Sequence, residues 1–355
     1  MTTHSDDPSH AIFNKAKWAF TTRHVPKEIV NGIRFTDSPQ SGDLLLARIE
    51  WIGHQTRLHT REGRFSDLFV GDLIVATCGA RFATDQFEGI SQVRADGKAD
   101  LLAAGGIIGH TRSRHNRMKP ATRLRVLGVL TDPSGKLINI SQHTIIQDSH
   151  GKPGLTIGIV GSAMNSGKTT TAAYLIHGLE KAGWRTAGIK LTGTGSFGDL
   201  HAYIDAGASV AMDFTDAGMA STYLEPIDRI IAAGHSLLAA AARHGCDTAV
   251  IELADGITQA ETSLILNHPQ RDQLFDAFLL VAADSLAAIG GMAWLSERGI
   301  APVALSGLLT RAPLVVGELS QRFCIPVLTR EDLAEPTVAS SVINRISAVN
   351  HPSGP

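Results

Sequence analysis

Residues 155–175, LTIGIVGSAMNSGKTTTAAYL, join an apolar run, a loop of small residues closing on Gly167-Lys168-Thr169, and the start of an apolar helical stripe. That order predicts a buried strand, a phosphate-binding turn, and a helix whose N-terminus faces the turn. Each part has a task in holding a triphosphate. Backbone N–H groups line the loop, Lys168 reaches the β- and γ-phosphates, and the Thr169 hydroxyl can ligate Mg2+. Gly161, Asn165, Ser166, Gly167, Lys168, Thr169 and Thr170 are therefore the candidate nucleotide-binding residues. The spacing departs from G-x-x-x-x-G-K-[ST]: Ser162 stands where the pattern wants its first glycine, with Gly161 one residue earlier.

Downstream of this loop, near-continuous apolar runs alternate with helical patterns. Strands are expected over Leu155–Val160, Arg185–Lys190, Thr248–Glu252, Ala277–Ala282, Pro302–Leu305 and Ile325–Leu328, and helices over Thr169–Lys181 and Ile227–Arg243. The fold class this predicts is α/β, a mostly parallel sheet flanked by helices, with ligand at the carboxyl ends of its strands.

The first half of the chain reads differently. Short strand-like runs (DLLLARIEWIG, QTRLHT, DLFV, DLIVATCG) are separated by turn signals at Gly42-Asp43, Glu62-Gly63, Gly71-Asp72 and Gly79. A further run, RLRVLGVLTDPSGKLINI, predicts a hairpin around Asp132–Gly135. The polar bridge Asp148–Gly154 then sets the expected domains at 1–150, β-rich and serving substrate specificity or docking, and 151–355, holding the nucleotide. A length of 355 residues suits two domains.

A formal charge of −2 and 5% aromatic content predict neither a nucleic-acid partner nor attraction to an anionic membrane. The polar start MTTHSDDPSH has no signal-peptide pattern, and the most apolar stretch, Ala277–Ala283, stops at Asp284, well short of a bilayer span of ~20 residues. A cytoplasmic protein is the expectation. Cys78, Cys246 and Cys324 lie far apart beside apolar runs, which predicts buried free thiols.

Phosphoryl chemistry needs acids for the metal and cations for the transferring group. In AVIELADG, Glu252 ends the apolar run and Asp255 follows in a turn, so either can face the metal. Lys190 emerges at the end of the second strand beside a Gly- and Thr-rich loop, where it can stabilise a phosphoryl in transfer. Asp199 closes that segment and ranks first among the further metal candidates, ahead of Asp205; Asp213 and Asp216 are candidates for the same crevice. The metal set is thus Thr169, Glu252 and Asp199, and the catalytic pair Lys168 and Lys190.

The Gly161-to-Thr169 loop, Lys190-Leu-Thr-Gly-Thr-Gly195 and Ile251-Glu-Leu-Ala-Asp-Gly256 together resemble the SIMIBI branch of P-loop NTPases. Dethiobiotin synthetase, cobyric acid synthetase and the molybdopterin-guanine dinucleotide biosynthesis B protein are the similar members, along with a group carrying a G-T-D-type loop. The likeness spans about Leu155 to Leu333. It implies phosphate binding by Asn165 to Thr170, Mg2+ near Thr169 and Glu252, and transition-state contact from Lys190. It also implies substrate contact from Thr194 and Gly195, with Thr192 in the same loop. Two departures stand out: the family's V-E-G-A-G-G is here I-E-L-A-D-G, and Thr310 replaces an asparagine that relatives often place near the base. The chain has no N-K-x-D segment, which favours ATP over GTP, and Ser162 replaces the extra lysine of partitioning ATPases. Neither GTP nor a homodimer is excluded by these absences.

The segment His110–Arg125 holds six Lys/Arg in sixteen residues, fitting a solvated basic loop or a loop that holds an anionic substrate. Two function classes follow. One is a Mg-ATP-dependent enzyme moving phosphate to an oxygen of a small anionic substrate, a carboxylate, with ligation or amidation after it. The other is a nucleotide-hydrolysing chaperone or assembly factor acting on a protein partner.

Overall fold

The computed structural model describes residues 8–36, 38–145 and 151–350, and the chain divides into two units. The expected bridge Asp148–Gly154 lies partly outside the described residues. Unit 1 comprises Met1–Ile145 together with two later returns of the chain, Thr194–Phe197 and Phe214–Leu224; unit 2 holds the rest.

Unit 1 is built on alternation. In Leu44–Trp51 the residues Leu45, Ala47 and Ile49 share one face, and in Leu73–Cys78 so do Ile74, Ala76 and Cys78. These faces meet because five strands close into a ring of pairings: Leu73–Cys78, Leu44–Trp51, Thr122–Thr131, Lys98–Ala103 and Ile107–Arg114, the last pairing back onto the first. The opposite faces, carrying Leu44, Leu46, Val75 and Leu130, are covered by Phe13, Trp18, Val25, Ile140 and Ala220. The two returns are part of this packing. Phe197 stacks on His59 with ring centroids 4.2 Å apart, and Asp216 accepts hydrogen bonds from Arg23 (2.6 Å) and His24 (2.5 Å).

The hairpin around Asp132–Gly135 forms, although its second arm reaches only single bridges at Leu137 and Asn139. The basic segment is solvated along most of its length but is not one loop. It is two strand ends and a short connection, with Arg112, Arg114, Arg117, Lys119 and Arg123 exposed and Arg125 paired to Glu50 at 2.7 Å.

Unit 2 follows the strand–helix alternation. Its strands are β1 (Leu155–Gly161), β2 (Thr186–Lys190), β3 (Val210–Asp213), β4 (Thr248–Leu253), β5 (Ala277–Val281) and β6 (Ala304–Ser306). They pair in the order β3-β2-β4-β1-β5-β6, every neighbour parallel. The main helices are α1 (Lys168–Lys181), α2 (Phe197–Asp205), α3 (Ile227–Arg243), α4 (Ser285–Ser296), α5 (Pro313–Arg322), α6 (Arg330–Ala334) and α7 (Pro336–Asn350).

The stripe Ala172, Leu175, Ile176 and Leu179 of α1 packs on Ile157, Ile159, Leu279 and Val281 of the sheet, with Leu333, Val342 and Ile343 covering its other side. Gly178 permits that cover, since a Cβ there would stand 2.1 Å from the Leu333 carbonyl oxygen. Among the described residues, no helix is long and apolar enough to cross a membrane.

Three expectations need correction. Ile325–Leu328 is not a strand: only Val327 bridges to Leu305, and Pro326 within the run has no N–H to give a ladder. An unforeseen edge strand, β3, stands at the other side. Cys324 is exposed, while Cys78 and Cys246 are buried.

Candidate functional site

The parallel register sets the site. Asp213, Lys190 and Glu252 are Cα partners across β3, β2 and β4, so three ionisable groups share one row at the strands' carboxyl ends. The loop that closes on Gly167-Lys168-Thr169 leaves β1 beside them. Asn165 has φ 61° and Gly167 φ 105°, the left-handed conformations that tighten a turn and that glycine adopts without strain. Neighbouring loops hold this turn in place: Ser162 N donates to Val281 O at 2.8 Å, and Leu308 N to Ser166 O at 3.1 Å.

Lys168 folds back across the loop, its Nζ donating to Ala163 O at 2.9 Å and to the Asp255 carbonyl. The loop's close course depends on Gly161, where a Cβ would meet Lys168 Cδ and Ser166 Oγ at 2.7 Å each. The hydroxyls of Ser162 and Ser166 are buried without a hydrogen-bond partner among the described residues. A buried hydroxyl without a partner costs free energy.

Thr169 joins the loop to the acids. Its Oγ1 donates to Asp199 Oδ1 at 2.9 Å and lies 3.3 Å from Glu252 Oε1. Asp199 is delivered by the first turn of α2, and its second oxygen accepts from Lys190 Nζ. Glu252, at the end of β4, accepts from the Tyr203 hydroxyl at 2.5 Å through its second oxygen. The group is nearly closed to solvent, with Lys190 9%, Glu252 3% and Lys168 5% exposed.

Burial decides the charges of the uncompensated groups and neighbours decide the rest. Burial lowers the Lys168 pKa, opposed in part by Glu252 and Asp255. Burial also works against the Lys190 charge, but Asp199 and Glu252 outweigh it and raise the pKa. For Asp199 burial acts upward, yet Lys190 and the Thr169 hydroxyl hold its carboxyl below the usual range. Glu252 is raised by burial, with Asp199 adding to the effect.

The oxygens of Thr169, Asp199 and Glu252 suit Mg2+. A magnesium ion with ligands at ~2.1 Å places adjacent oxygens about 3 Å apart, takes one or two carboxylates, and draws the rest of its shell from water and phosphate. Asp199 Oδ1 and Glu252 Oε1 stand 2.9 and 3.3 Å from Thr169 Oγ1, so the three oxygens converge on one place and would hold such an ion together with water and phosphate. No group of three or more His, Cys, Asp or Glu placed to hold a metal occurs among the described residues.

The other candidates are dispersed. Asp255 meets Lys168 through its carbonyl, and Asp205 is exposed at the far end of α2. Thr192 is buried with its hydroxyl committed to Ala254 O at 2.6 Å. Thr194 and Gly195 group with unit 1, where Thr194 bridges to Ser221 and Gly195 N donates to Ala220 O at 2.9 Å; Asp216 is there too. Sequence reading missed Tyr203. Its one signal is the i, i+4 spacing from Asp199.

No protein-family model and no curated protein matches the chain. Among solved structures it is similar to the signal recognition particle receptor FtsY from Elizabethkingia anophelis, at 16% identity and TM-score 0.36, covering 59% of this chain and 75% of that one. It is similar to chloroplast FtsY from Physcomitrella patens at 17% identity and TM-score 0.37, covering 57% and 67%. A DUF1611 family protein from Anabaena variabilis is similar at 13% identity and TM-score 0.37, covering 56% and 62%. The functional reading therefore rests on the side chains.

Proposed function

We propose that this P-loop protein binds a Mg-nucleoside triphosphate on Gly161–Thr170 and transfers its γ-phosphoryl to an oxygen of a small anionic substrate. The observation that carries this reading is the hydrogen-bonded network in which half-buried Thr169 and Asp199 meet buried Lys190 and Glu252 beside the loop lysine. Cations and acids placed together at strand ends next to a helix N-terminus suit a phosphate group and its metal.

Lys168 exchanges its carbonyl partners for phosphate oxygens, and α1 turns its N-terminus to the same charge. Thr169, Asp199 and Glu252 would hold Mg2+, which supplies charge neutralisation and orientation of the phosphates. Lys190, already charged and buried, stands ready to stabilise the equatorial oxygens. A substrate carboxylate oxygen forms the new P–O bond as the β–γ bridging oxygen leaves with its electron pair, giving nucleoside diphosphate and an acyl phosphate. Ligation or amidation of that acyl phosphate completes the synthetase-like reading. ATP is the expected nucleotide, since the chain has no N-K-x-D segment to read guanine.

Phosphate release from ATP and GTP against a panel of small carboxylic acids tests this. The expected result is slow hydrolysis alone, a sharp rise with one acid, and loss in Lys168→Ala. Stimulation by a co-purifying protein and by no acid would replace the metabolic reading with that of an assembly factor. Unchanged nucleotide affinity in Lys168→Ala would refute nucleotide binding at the loop.

A further inference from the structure

We infer that Tyr203 is a positioning residue that sets the Glu252 carboxylate for the metal, an inference that rests on the nucleotide reading above. The placement begins in β2, where Gly188 and Lys190 point to the same face of the sheet two residues apart. Their partners on β4 are Val250 and Glu252, so Glu252 stands one step closer to the strands' carboxyl ends than the gap left by Gly188.

Tyr203 fills that gap. A Cβ at residue 188 would lie 2.7 Å from Tyr203 Cβ and 2.8 Å from Cγ and Cδ2, so the ring passes where any other side chain would stand. The ring is fully buried and packs in the same cluster as Val250 and Leu175. From there the hydroxyl reaches Glu252 Oε2 at 2.5 Å, leaving Oε1 toward Thr169 Oγ1 at 3.3 Å.

A carboxylate rotates about its last bond and offers either oxygen. A single donor on one oxygen fixes both the plane and the choice. Asp199 comes from the same helix one turn earlier, so α2 brings one metal-facing acid directly and orients the other through Tyr203. Lys190 is the neighbour of Glu252 in register, but its ammonium is given to Asp199. The phenol is thus the hydrogen-bond donor shown on Oε2.

The test is Tyr203→Phe in the full chain, which removes one oxygen and keeps the ring in its slot. Mn2+ binding in the presence of ATP, followed by electron paramagnetic resonance, and the Mg2+ concentration giving half-maximal phosphate release are the readouts. Loss of a partner behind a metal ligand weakens metal binding by about 10- to 100-fold. The expected outcome is a rise of about tenfold or more in both metal constants, larger than any change in kcat at saturating Mg2+. In a Glu252→Gln background, where the carboxylate is already gone, the same substitution shifts the Mn2+ constant less than about twofold. Metal constants unchanged within about twofold in Tyr203→Phe, with a lower melting temperature alone, would show the hydroxyl to be a satisfied core group and overturn the inference. A wild-type chain that takes up neither ATP nor Mn2+ would overturn the nucleotide reading first, and this inference with it.

Discussion

Replacing Lys190 by methionine keeps the aliphatic stem and deletes the charge, removing the cation that pairs with Asp199 and offsets the charge of Glu252. Removing one partner of a buried pair costs about 3–5 kcal/mol. Asp199 keeps its bond from Thr169 and Glu252 its bond from Tyr203, so the lower end, ~3 kcal/mol at pH 7.5, is the expectation.

The pH dependence gives the sharper test. In the wild type, Lys190 depresses Asp199, whose stabilisation is present above the unfolded carboxylate value and is lost only as pH falls through the lower folded one. Glu252 runs the other way: burial raises it, so its contribution is full below the unfolded value and is lost as pH rises through the folded one. Without Lys190 both carboxyls shift upward, and the folded variant holds an extra proton that the unfolded chain gives up. Each pH unit over which it does so is worth about 1.4 kcal/mol, so the cost should be smaller at pH 5.5 than at pH 7.5.

Urea denaturation in metal- and nucleotide-free buffer measures the cost. Hydrogen exchange of the amides in β2 and β4 assigns it to unit 2 rather than to unit 1. A cost below ~1 kcal/mol, or one equal at both pH values, would refute the claim that Lys190 neutralises the buried acids.

Two further outcomes are expected. Gly161→Ala forces Lys168 and Ser166 away from a new Cβ 2.7 Å from each, and calorimetric titration should show ATP affinity falling by about tenfold or more; an unchanged constant would mean the loop does not need its close course. Burial pushes the Cys78 thiol up to about 11, so at pH 8 a disulfide reagent should titrate exposed Cys324 first and reach Cys78 only on unfolding; rapid reaction of Cys78 in the native protein would contradict its burial.

Much of unit 2 was legible because its signals are local. Helix α3 has the same bounds in pattern and structure, Ile227–Arg243, and β1, β2, β4 and β5 differ from expectation by a residue at an end. Strand β3 escaped because an edge strand of four residues, half of it only partly buried, carries no continuous apolar run. Ile325–Leu328 misled for the opposite reason: an apolar run with a proline inside it pairs only where the sheet edge permits. In the site, Lys168, Thr169, Lys190, Asp199 and Glu252 were nameable from strand ends and the loop, and they stand within reach of one another. Tyr203 was not, since its role depends on a gap at Gly188 fifteen residues earlier and an acceptor on a third element. The placement of Thr194 and Gly195 in unit 1 is likewise a matter of tertiary packing, invisible to periodicity.

Those two returns have a consequence for how the chain is made. Unit 1 ends its first passage at Ile145 but draws Phe197, Asp216 and Ala220 from the far side of the phosphate loop. On the ribosome, unit 1 cannot reach its finished packing until Leu224 has emerged, by which time β1, α1, β2, α2 and β3 have been synthesised. Maturation of the N-terminal half therefore waits on translation of nearly two-thirds of the chain, and a gene cut between the two expected domains would yield an incomplete unit 1 and a partner carrying stray pieces of its core.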